Sequence, residues 1–195
     1  MPAKKYNTHR TPMSTKVEAT IEDLYKVEGK AELVNGEIVE MPLTGGLPHY
    51  AARQITISLA AYERTITNGF AMGDSAAFLV NLPNRKSFRP DASFYIGKLT
   101  MKFCQGVPVF AVEVRSENDY GRWAERQMAR KRSDYFSAGT LVVWDVDLLS
   151  DDVVRVYRAD DPESVTTYRR GEIAEAEPAV PGWTMAVDDL FLKQS

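Results

Sequence analysis

One cysteine, Cys104, occurs among the 195 residues of this chain. A lone cysteine excludes an internal disulfide framework and cannot by itself build a zinc cluster. Long hydrophobic runs are missing as well. No stretch approaches the roughly 18 consecutive apolar residues that mark a membrane-spanning helix. Nor is there an excess of positive charge: 24 Lys and Arg stand against 27 Asp and Glu, a net charge of −3. That balance excludes a protein that coats nucleic acid by wholesale phosphate neutralisation. It stays compatible with a local basic patch beside an acidic metal site, where bound cations supply the missing charge. The N-terminal stretch MPAKKYNTHRTPM is basic but lacks the apolar run of a secretory signal, so the expected compartment is the cytoplasm.

What is present fits a globular protein, with 44% hydrophobic and 26% charged residues. The length suits one domain, expected over residues 14–195 behind a flexible basic tail at 1–13. Thr15 and Glu18 have capping-box spacing, which predicts a first helix through VEATIEDLYKVE. Asn35-Gly36 favours positive backbone angles and predicts a hairpin within AELVNGEIVEM. In HYAARQITISLAAYERTI the apolar positions Ile55, Leu59, Tyr62 and Ile66 predict a second helix, ending at Asn68-Gly69. Strands are expected over 77–81, 91–96 and 107–115. A long helix over 122–137 then closes at Gly139, and LVVWDVD forms a strand behind it. VVRVYR and SVTTYRR predict a hairpin around Asp160-Asp161-Pro162. Pro178, Pro181 and Gly182 break the tail into short pieces. The order makes an α/β or α+β domain with one mixed sheet.

Glu113 interrupts an otherwise apolar strand, VPVFAVEVRS. A buried unpaired carboxylate costs several kcal/mol, so Glu113 needs a partner, either Arg115 or another arginine at the strand end, or a metal. Asp91 opens the preceding strand, DASFYI, on the same side as Ser93 and Tyr95. If the two strands are neighbours, Asp91 and Glu113 project together, and a divalent cation would relieve their repulsion. Hard oxygen donors of this kind suit Mg2+ or Mn2+ rather than zinc. The alternative is that Asp91 only caps a turn after Pro90. On the long helix, Ala124, Met128, Lys131 and Tyr135 share one stripe with Gln127 at its border, and Arg122, Arg126 and Arg130 lie opposite. Lys131 on that stripe either snorkels past the core or reaches the carboxylates.

With ELVNGEIVE, a later His49 opening a helix, RPDASF, VPVFAVEVRS and RKRSDYFSAGTLVVWDVD, the chain resembles the Uma2 family, formerly DUF820, of restriction-type endonucleases. That family sits within the PD-(D/E)XK nuclease superfamily, and the likeness runs from about Leu24 to Phe191. The resemblance implies a restriction-endonuclease-like core, a mixed central sheet flanked by helices with extra β-hairpins. It places Asp91 as the Pro-Asp acid and Glu113 as the acid of the strand motif. Lys131 becomes the lysine of a helix motif with Tyr135 and Gly139 in register, and Glu32 the acid before the hairpin. The superfamily's lysine position, two after the strand glutamate, holds Arg115, a poor proton acceptor. The implied chemistry is metal-assisted phosphodiester hydrolysis, with Asp91, Glu113 and the Val114 carbonyl holding Mg2+ or Mn2+. Lys131 would orient a water or help take its proton, Gln127 would support it, and Glu32 would be a direct or outer ligand. DNA is the expected partner and a homodimer the expected assembly, with no membrane.

The remaining candidates carry two readings each. His49 is a structural hydrogen-bonding residue or an accessory site residue. Arg122, Arg126 and Arg130 form a solvated face or grip a phosphate backbone. Glu117, Asn118 and Asp119 make a capping turn or contribute to metal or water binding. Cys104, Trp144, Tyr157 and Trp183 read as packing. Two other functions remain open: a nuclease fold without catalysis that binds nucleic acid or protein, and an assembly protein using its C-terminal hairpins.

Overall fold

The computed structural model describes residues 17–192. The expected tail at 1–13 and the cap at Thr15 lie outside these residues. Helix α1 (Ile21–Leu24) is a single turn. Its capping box is built by Thr20 and Asp23, not by Glu18: Thr20 Oγ1 accepts from the Asp23 amide and Asp23 accepts from the Thr20 amide. An aspartate three residues on closes the same reciprocal pair as a glutamate would. Strands β1 (Ala31–Val34) and β2 (Glu37–Glu40) then form the expected hairpin. Asn35 and Gly36 have φ of 51° and 71°, the left-handed pair that a two-residue turn needs.

Helix α2 (Gly46–Glu63) starts three residues before His49 and stops before Ile66. Pro48 sits in its first turn, where the missing N–H is no loss. At the far end Thr65 turns the chain, its amide and hydroxyl both donating to the Tyr62 carbonyl. Ile66 still packs on the core without being helical. Strand β3 (Phe70–Gly73) follows, then the short strands β4 (Phe78–Leu79) and β5 (Ser87–Phe88). Next come β6 (Ala92–Tyr95), the short β7 (Cys104–Gln105) and β8 (Phe110–Val114). Helix α3 (Arg122–Ala138) ends at Gly139 with φ 111°, and β9 (Val142–Val146) is buried throughout. The hairpin β10 (Val154–Arg158) and β11 (Asp161–Tyr168) carries a bulge at Tyr157/Arg158. A small pair, β12 (Ile173–Glu175) and β13 (Thr184–Ala186), and a 3₁₀ turn close the described chain.

The central sheet is six-stranded and mixed, in the order β11-β10-β9-β8-β6-β3. Its strands pair antiparallel except β8 and β9, which run parallel with α3 as the crossover between them. Residue parity divides the two faces. Phe110, Val112 and Trp144 join Ile55 and Leu59 of α2 in one core, sealed by Trp183 and Leu190 from the tail. Ala111 and Val143 face the other way, with Phe78, Phe88 and Tyr95, against Tyr135 of α3. Glu113 has the parity of Ala111, so it points towards α3.

Candidate active site

Asp91 and Glu113 come together because their strands pair. Ala92 lies opposite Val112, so the register sets Asp91 opposite Glu113, and the Asp91 amide donates to the Val112 carbonyl at 2.9 Å. Asp91 Oδ2 accepts from the Val114 amide at 2.8 Å, which fixes its carboxylate beside the strand end. Its other oxygen takes the Lys30 ammonium at 2.5 Å. Lys30 sits two residues before Glu32, so both side chains leave the same face of the first hairpin. The sequence reading missed Lys30, although that two-residue spacing was the available signal.

Glu113 accepts from Lys131 at 2.9 Å and from the Tyr135 hydroxyl at 2.8 Å. Arg115 is not its partner: that guanidinium is bound bidentately by Asp145, both contacts at 2.7 Å, and is capped by Glu125. The register puts Asp145 opposite Glu113, two residues short of Arg115 and on the same face of the sheet, within reach of the guanidinium. Lys131 therefore reaches the carboxylates and does not snorkel away; its side chain is 14% exposed. A one-turn step back along the helix, Gln127 lines the same cleft.

Glu32 holds the arrangement from behind. Its carboxylate accepts from the Arg89 amide at 2.9 Å, from Lys131 at 3.0 Å and from the Arg85 guanidinium. Arg85 is in turn bound by Asp134 of α3 at 2.9 Å. Both oxygens of Glu32 are thus engaged and its side chain is 6% exposed. This geometry suits a residue that positions Lys131 and leaves a direct ligand role little room.

The charges act on one another. Burial alone would lower the Lys131 ammonium's affinity for its proton, but Glu113 and Glu32 outweigh it and hold the group charged well above the ordinary lysine range. Lys131 is a hydrogen-bond donor and a cation in this arrangement. Burial pushes the Glu113 carboxyl up, Lys131 opposes this, and the like charges of Asp91 and Glu32 add to it. Burial would also raise Glu32, but Lys131 and Arg85 overcome it and bring it down to about 2. The Tyr135 hydroxyl is raised well above its usual value by burial and by Glu113, so it stays a neutral donor.

A depressed carboxyl stabilises the fold when ionised, so the Glu32 contribution is complete above its ordinary value of 4.5 and disappears as pH falls toward 2. Urea midpoints measured at pH 6, 4 and 3 are expected to fall more steeply for the parent protein than for Glu32→Gln. Parallel curves would show that another group titrates.

These side chains line a cleft of about 230 Å³ shared by Lys30, Asp91, Glu113, Val114, Gln127 and Lys131. Two carboxylate groups on opposed strands, backed by cations and open to solvent, fit a hard divalent ion that keeps several waters. Among the described residues no group of three or more His, Cys, Asp or Glu converges as a metal cage. Asp91 also borders a second cleft with His49 and Asp74, whose Nδ1 to Oδ2 distance is 4.0 Å; His49 is 60% exposed. Asp119 accepts from the amide and hydroxyl of Ser116, forming the turn ahead of α3. Arg122, Arg126 and Arg130 are exposed. Cys104, Trp144 and Trp183 are core residues, while Tyr157 is half-buried under the Arg132 guanidinium at 3.6 Å. No helix among the described residues is long and apolar enough to cross a membrane.

A solved structure described as "a putative nuclease belonging to DUF820", from Anabaena variabilis, superposes with a TM-score of 0.69 over 88% of this chain and 97% of that one. At 17% identity the likeness is one of fold. No curated protein matches the chain. The model of the Uma2 family, whose description is "Putative restriction endonuclease", matches residues 19–188. That span covers the hairpin, both carboxylate strands and the lysine helix, and the chain belongs to the Uma2 family of restriction-endonuclease-like proteins.

Proposed function

We propose that the protein is a metal-dependent endonuclease that hydrolyses phosphodiester bonds, with DNA as its substrate and Mg2+ or Mn2+ as its cofactor. The observation that carries this is Asp91 facing Glu113 across paired strands, in an open cleft, with the Lys131 ammonium bonded to Glu113. Asp91, Glu113 and the Val114 carbonyl would hold the ion, which when bound lowers the pKa of water and offsets charge on the phosphoryl oxygens. Lys30 neutralises Asp91 in the free protein and would release it on loading. Lys131 would donate a hydrogen bond to the attacking water or to a phosphoryl oxygen, and Glu32 and Tyr135 hold the Lys131–Glu113 pair in place. The proton leaving the water would pass through the open cleft to solvent, with Lys131 orienting the water or helping to take that proton. Gln127 would add a donor from the cleft wall. A homodimer would bring two such sites to one substrate.

Calorimetry tests the metal site directly. Mg2+ or Mn2+ binding is expected for the parent protein with added DNA and is expected to vanish in Asp91→Ala and Glu113→Ala. Binding untouched by both substitutions would overturn the site. One observation favours a second reading, a nuclease fold that binds without cutting: Lys30 and Lys131 already neutralise both carboxylates. Salt-sensitive DNA binding with no cleavage at any Mg2+ or Mn2+ concentration would select that reading.

A further inference from the structure

Trp123 is 68% exposed, while the other two tryptophans, Trp144 and Trp183, are 0% and 3% exposed. Tryptophan is costly to leave in water, and the family's motifs do not involve it. Its place on α3 is informative. At about 100° per residue, Trp123 falls about 40° from Gln127 and about 20° from Arg130 on the helix surface. It therefore stands at the border between the cleft wall and the exposed arginine face. Lys131 lies eight residues on, about 12 Å along the helix axis. The opposite lip of the cleft is apolar too: Met41 and Pro42 line it, and the adjoining Leu43 is fully exposed.

We propose that Trp123 is a stacking platform for an unpaired nucleobase at the edge of the cleft, and that the substrate is single-stranded nucleic acid or a junction with unpaired bases. This rests on the nuclease reading above and names its substrate class. Arg126 and Arg130 lie on the exposed face one and two turns further along α3, on the same side of the indole, where they would meet phosphates of the strand leading away from the stacked base. Such a pairing of an aromatic face with basic side chains grips a single strand without reading its sequence, since every base has a π-face. A base inside a duplex has both faces covered by its neighbours and cannot use the indole in this way. The net charge of −3 agrees with a small local grip rather than a long basic channel.

The two buried tryptophans make Trp123 the emission that a ligand can reach. The test titrates the full chain, with EDTA present so that metal-dependent cleavage does not consume the probe. The probes are a dye-labelled oligothymidylate and a blunt duplex of equal length. Dye anisotropy reports binding and tryptophan emission reports stacking. The single strand is expected to bind with quenching, and Trp123→Ala to weaken it by on the order of tenfold to a hundredfold, with Trp123→Phe retaining most of the affinity. Binding without quenching, unchanged in Trp123→Ala, would overturn the stacking proposal and leave the nuclease reading in place. Tighter binding of the duplex would do the same. Emission that changes with protein concentration alone would assign Trp123 to a contact between copies and also overturn it. Binding of neither probe, with EDTA or with Mg2+, would remove the nuclease reading and this proposal together.

Discussion

Arg115→Ala is expected to cost about 3–5 kcal/mol of stability, because it leaves Asp145 buried without its bidentate partner. The two side chains are 2% and 3% exposed, and Asp145 would keep only Arg155, at 3.9 Å. The effect is large because water cannot replace the lost guanidinium, whereas an exposed ion pair contributes at most about 1 kcal/mol. Urea unfolding measures it as a shift of midpoint at constant slope. Exchanging the pair together, Arg115→Met with Asp145→Leu, is expected to recover most of the loss, since two apolar groups of similar volume leave no charge stranded. A single-variant cost below about 1 kcal/mol would mean that water reaches the pair. Arg115 occupies the position at which the resemblance to the PD-(D/E)XK superfamily led a lysine to be expected. Its carboxylate partners make it a structural strut at that place, and the cation beside Glu113 comes from α3 instead.

Under the proposed nuclease activity, Glu113→Gln is expected to lower metal-dependent cleavage by about a hundredfold to a thousandfold, as loss of a preorganised charge does. The same change is expected to leave the stability at pH 7 close to that of the parent protein. Burial raises the Glu113 carboxyl above its usual value, so its protonated form is the one the fold prefers. A raised carboxyl contributes stability below its ordinary range and loses that contribution as pH rises through its folded value. At neutral pH the amide removes the desolvation of the ionised group, and with it one of the two carboxylates that hold Lys131 charged, so the two effects oppose each other. Lys131 would keep Glu32 at 3.0 Å, so no cation is stranded. Parallel cleavage assays and thermal melts at pH 7 check both halves. Retained cleavage would remove Glu113 from the chemistry. A melting point several degrees lower would show that Glu113 is there to hold Lys131.

Much of this arrangement could be read along the chain, where the controlling physics is local. Asn35-Gly36 determines a tight hairpin because few residue pairs accept two positive φ values, and Gly139 ends α3 for the same reason. Strand alternation assigned Asp91 and Glu113 to one side of their strands, and helical periodicity turned Lys131 inward, before any contact between these elements was known. Local signals failed where they competed with packing. The two-residue strands β4, β5 and β7 have too few positions to show alternation, and α2 gave up its last turn to the Thr65 bend.

The ion network belongs to the other category. Lys30 meets Asp91 across 61 residues and Arg85 meets Glu32 across 53, and nothing in either segment's pattern names its partner. The choice of Arg115 for Asp145 and of Lys131 for Glu113 likewise depends on the parallel register of β8 and β9. The exposure of Trp123 depends on what leaves that end of α3 uncovered. What the sequence determined by itself is which side of each strand and helix carries the reactive groups, because side-chain direction follows from backbone geometry. Only the tertiary structure decided which of those groups face one another and with what charge, because pairing and burial arise between elements far apart in the chain.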